Sequence, residues 1–82
     1  MEAGFLKLIR RVEKLEREAK KLICQLPDGK RNKEVDMWFT EHEVVFNEQG
    51  LNTALEARLK SVERRMLYHF PLYMERANDV WL

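Results

Sequence analysis

One cysteine, two prolines, three glycines and no long apolar run: this 82-residue chain has little of what usually punctuates a fold. The single cysteine, Cys24, excludes an internal disulfide and a thiolate cage for a metal, and it fits a reducing compartment. The glycines stand alone at positions 4, 29 and 50, so there is no Gly-rich loop to cradle a phosphate. No apolar stretch approaches the roughly 18 residues that cross a bilayer. The apolar start is broken at Lys7, Arg10 and Arg11 before a secretory signal core develops. The expected setting is the cytoplasm, with no membrane association.

Length permits one domain, near the size at which a single core only just holds. No internal repeat or Gly/Ser linker divides it, so residues 1–82 are read as one helical domain. Net charge is only +1, but its distribution is uneven. Residues 1–33 carry ten basic against five acidic side chains, residues 34–56 carry six acids and no Lys or Arg, and residues 57–82 carry five basic against three acidic. Packed helices bring these blocks together, so the first expectation is charge complementarity inside the molecule.

What is present is helical periodicity. Phe5, Leu8, Val12, Leu15, Ala19, Leu22 and Leu26 recur at alternating steps of three and four, and Ile9 and Ile23 widen the stripe. Lys7, Arg10, Lys14, Arg17 and Lys21 form a basic ridge opposite, with Glu13–Arg17 and Glu16–Lys20 expected as local ion pairs. A first helix is predicted over residues 4–25, ended by Leu26-Pro27-Asp28-Gly29.

A second helix is predicted over 34–49, with Val35, Trp38, Phe39, His42, Val45 and Phe46 on one face and Gly50 as its left-handed terminator. The same segment is rich in β-branched and aromatic residues and is compatible with a short hairpin. Its turn would fall at Glu41-His42-Glu43, which lacks turn residues, and this favours the helix. Thr53 with Glu56 reads as a capping box opening a third helix over 53–70. Pro71 then kinks that helix or starts a short fourth helix or tail over 71–82.

Few residues carry a chemical signal. His42 and His69 lie on apolar faces, but no HExxH or ExxH pair supplies metal-ligand spacing, and two separately satisfied histidines are expected. Cys24 lies near a helix C-terminus, where the dipole does not favour a thiolate. The carboxylates Asp36, Glu41, Glu43 and Glu48 fall on a solvated face without a visible cleft. No enzyme activity, cofactor or metal is expected.

Apolar and aromatic side chains between Met66 and Met74, with Trp81 and Leu82 beyond, exceed what one helix face hides. Tyr, Trp and Arg are the types that dominate binding hot spots. The expectation is an all-α protein: an antiparallel helical hairpin extended to a three-helix bundle, dimeric through the Phe5–Leu26 seam, the aromatic C-terminal segment, or both. Its expected role is a non-enzymatic protein-interaction module, an adaptor, regulator or inhibitor subunit. The expected anchors are Tyr68, Phe70, Tyr73 and Trp81, flanked by Arg65 and Arg76. The alternative is a small nucleic-acid-binding regulator using Lys7, Arg10, Lys14, Arg17 and Lys21.

Overall fold

In the computed structural model, residues 2–27 and 31–74 are described, with side chains from Gly4 onward. These residues are all-helical: α1 (Glu2–Gln25), α2 (Lys33–Phe46), α3 (Thr53–His69) and a 3-10 turn (Pro71–Tyr73), with no strand among them. Segment 34–49 is therefore helix and not hairpin, though α2 stops at Phe46.

The buried face of α1 is the predicted stripe: Leu8, Val12, Leu15, Ala19 and Leu22. Against it pack Val35, Trp38, Phe39 and Val45 of α2 and Leu55, Leu59, Val62, Met66 and Leu67 of α3. The seam expected to mediate dimerisation is thus consumed inside the chain; only Phe5, at its start, remains exposed. Each helix touches both others. Arg11 meets Glu41 and Glu48, Trp38 meets Leu15, and Leu22 lies across from Glu34, so α1 and α2 run antiparallel. Glu16 meets Arg58 and Leu26 meets His69, so α3 runs alongside α1 in the same sense.

Both interhelical connections end in asparagine caps. The Asn32 side-chain oxygen accepts from the Glu34 N–H at 2.8 Å, and Glu34 and Asp36 place negative charge in the first turn of α2. The cap of α3 is Asn52, whose side chain accepts from the Leu55 N–H at 2.8 Å while its carbonyl accepts from Glu56. This corrects the expected Thr53 capping box: Thr53 is already the first helical residue. At the end of α2, Asn47 returns both its backbone N–H and its side-chain amide to the Glu43 carbonyl. Gly50 has φ +88, the left-handed value expected of it, but it turns the connection three residues beyond Asn47 and does not terminate the helix.

Pro71 ends α3 and supplies the first residue of the 3-10 turn. That turn folds Phe70 and Tyr73 back onto the helices, where both are buried. Residues 75–82, and with them most of the expected fourth helix or tail, lie outside the described residues.

Candidate functional site

The expected charge complementarity is partly realised inside the chain. Arg11 of α1 reaches Glu41 at 3.2 Å and Glu48 at 3.5 Å. Glu16 is engaged by Arg58 of α3 through a two-toothed guanidinium–carboxylate contact, in place of the local pair expected with Lys20. The hydrogen bond to Glu16 holds the Arg58 guanidinium above its ordinary range.

Two buried polar side chains stand among the described residues, His42 and Glu63. His42 Nε2 donates to the Leu59 carbonyl at 2.9 Å; because a carbonyl only accepts, the proton sits on Nε2. Nδ1 then faces the Glu63 carboxylate at 3.8 Å, and the ring stacks on Trp38 and Phe46. His42 is only 1% exposed, so no external substrate reaches its nitrogens. His69 donates separately, from Nε2 to the Leu26 carbonyl at 3.0 Å, satisfying a carbonyl just beyond α1. The two histidines are thus held by different carbonyls, as expected of separately satisfied side chains. Glu63 escaped the sequence reading, although Leu59, Glu63, Met66 and Phe70 recur at steps of four, three and four, which places Glu63 on the buried face.

Of the expected partner anchors, Phe70 and Tyr73 belong to the chain's own core. Tyr73 stacks on Phe39 at 4.9 Å, its hydroxyl donates to the Asn32 carbonyl and accepts from the Asn32 N–H, and Arg31 lies over its ring. Phe70 is buried on the α3 face that carries Leu59, Glu63 and Met66, and Tyr73 is brought inward by the turn that begins at Pro71. Tyr68 is the reverse case, 92% exposed, and Arg65, Leu72 and Met74 are also exposed. Arg76 and Trp81 lie outside the described residues. All five ridge residues, Lys7, Arg10, Lys14, Arg17 and Lys21, are exposed, as is Cys24.

A cleft of about 510 Å³ between α1 and α2 is a feature the sequence did not suggest. Leu15, Leu22 and Trp38 floor it, and Met37 stands at its edge, 62% exposed. Its α1 wall carries Arg11, Lys14 and Lys21 with one acid, Glu18; its α2 wall carries Glu34 and Glu41. Arg11 also borders a second hollow of about 440 Å³ between Phe5, Leu8 and the Glu48–Gly50 connection. No α3 residue lines either space.

Comparison with models of protein families, with curated proteins and with solved structures finds no match. Among the described residues no three His, Cys, Asp or Glu side chains converge as a metal site would require, and no helix is long and apolar enough to cross a membrane. The arrangement provides a shaped, charged surface with apolar patches. Among the described residues, the close approach of His42 to Glu63 lies buried in the core.

Proposed function

We infer that this chain is a non-enzymatic protein-interaction module, an adaptor, regulator or inhibitor subunit built as a small three-helix bundle. The observation that supports this reading is the α1/α2 cleft. An apolar floor between oppositely charged walls is the form in which a groove receives an amphipathic helix, with hydrophobic anchors inside and charged rims setting orientation. Tyr68, Leu72 and Met74 offer a second exposed apolar surface. The lone exposed Cys24 fits work in the reducing cytoplasm.

A displayed library of amphipathic helical peptides, panned against the chain, tests the reading. Enrichment on the parent that is lost on Met37→Asp supports it; the absence of enrichment on either surface removes it.

The exposed basic ridge favours one alternative, a nucleic-acid-binding regulator. Five cations on one face of α1 follow a line of roughly 20 Å, long enough to track several phosphates. Size-exclusion chromatography at low and high salt with a short duplex separates the two readings. Co-elution abolished by high salt and by Arg10→Glu with Lys14→Glu and Arg17→Glu would put the ridge first.

A further inference from the structure

We propose that the cleft is closed by the cleft of a second copy of this chain, with α1 of each copy lying over α2 of the other. The proposal rests on the cleft being a docking surface and names its occupant. A face whose two halves carry opposite charge is complementary to itself under a twofold rotation. Here Arg11, Lys14 and Lys21, with Glu18 among them, line one side, and Glu34 and Glu41 line the other. Arg11 already meets Glu41 within the chain, so the complementarity offered to a second copy rests on Lys14 and Lys21 against Glu34.

Charge also selects the axis. The two helices are antiparallel, so a twofold parallel to them sets each basic wall on the partner's acidic wall, with the stacked helices again antiparallel. A twofold across them would lay α1 on α1 and bring like charges together, at a cost of repulsion on both walls. Met37 supplies the apolar complement. It stands 62% exposed at the lip, and its flexible thioether side chain suits filling an irregular space such as the partner's cleft of about 510 Å³. The product is a four-helix layer in which α3 of each copy stays on the outside.

Sedimentation equilibrium of the full chain, from micromolar to submillimolar concentration, tests this. The variants are Met37→Asp, the pair Lys14→Glu with Lys21→Glu, and Glu34→Lys, each checked for helicity by circular dichroism. The parent is expected to dimerise, and each variant to self-associate about tenfold or more weakly. An equimolar mixture of the two charge variants is expected to recover association, since each reversed wall then meets its opposite. Unfolded chains cannot produce that rescue, so it decides the matter even where one variant folds poorly.

A parent that stays monomeric throughout overturns the second copy. If that monomer still enriches helical peptides in a Met37-dependent way, the cleft reading stands and only its occupant is wrong; if it enriches none, both fall. A dimer indifferent to Met37→Asp and to both charge variants, but weakened by Tyr68→Ala, also overturns the proposal and moves the interface to the α3 end.

Discussion

The indole N–H of Trp38 donates to the main-chain carbonyl of Leu15 at 2.9 Å, from α2 into the middle of α1. Position 15 lies well inside its helix, so that carbonyl also serves the amide one turn on, and the indole uses its second lone pair. Apolar neighbours tolerate sliding; a buried hydrogen bond does not. This one bond therefore fixes the register between the two helices that form the cleft.

Trp38→Phe removes the bond and some packed volume without leaving the carbonyl unpaired. We expect a loss of about 2 kcal/mol in unfolding free energy, seen as a lower urea midpoint with the helical signal retained. A midpoint equal to the parent's would show that the bond adds nothing net.

His42 and Glu63 are expected to behave as a couple. Taking away one partner leaves the other polar and buried, with His42 keeping its bond to the Leu59 carbonyl, whereas replacing both removes the two buried polar side chains together. Glu63→Leu alone and His42→Leu alone should each destabilise strongly, and the double variant should lose less than the sum, by about 1–3 kcal/mol. A double-mutant cycle in urea measures the coupling. Strict additivity would show that the 3.8 Å approach is incidental.

Tyr73 gives the chain an alkaline limit. Burial, the largest influence, pushes its phenol above the ordinary value of 10.0; Asp36 adds to the rise, and the Asn32 backbone and Arg31 oppose it. The fold prefers the neutral phenol, so this stabilisation is whole below the unfolded-chain value and is lost as pH rises through the folded one. Tyr73→Phe keeps the ring on Phe39, and losing the bonds to Asn32 should cost about 1 kcal/mol near neutrality. Above about pH 10 its stability should decline less steeply than the parent's. Parallel curves for the two proteins would refute the assignment.

The two asparagine caps allow a clean test of where α3 begins. Asn52→Ala should cost about 1 kcal/mol, and Thr53→Ala much less. Thermal unfolding of the pair would show the opposite ranking if Thr53 were the cap after all.

Much of this fold was legible, because α1 repeats its stripe without interruption from Leu8 to Leu22 and every one of those residues is buried. The ends of α2 and α3 were less so. Asn47 could cap as well as Gly50, and Asn52 as well as Thr53, and only tertiary placement chooses between such neighbours. Phe70 and Tyr73 were expected as partner anchors because the segment around Pro71 holds more apolar surface than one helix face hides, and spacing alone does not say which of those side chains the chain's own core takes up. The cleft was invisible for a different reason. Its walls come from two segments whose relative register is set by Trp38 and Leu15, a relation that no spacing within either segment encodes.

The turn at Pro71–Tyr73 acts as a latch on the α1–α2 connection. Tyr73 closes on Asn32 over a separation of 41 residues and His69 on Leu26 over 43, so both ends of the α1–α2 connection are gripped, one by the end of α3 and the other by the turn after it. Such long closures lose more chain entropy than the α1–α2 hairpin does. They form productively only once that hairpin exists to receive them. The order of assembly expected from these closures is that the two cleft helices pair early and the latch shuts last, which folding kinetics of Tyr73→Phe would check as faster unfolding with an unchanged folding rate. A chain released before residue 73 would hold its cleft with one end of the hairpin unfastened.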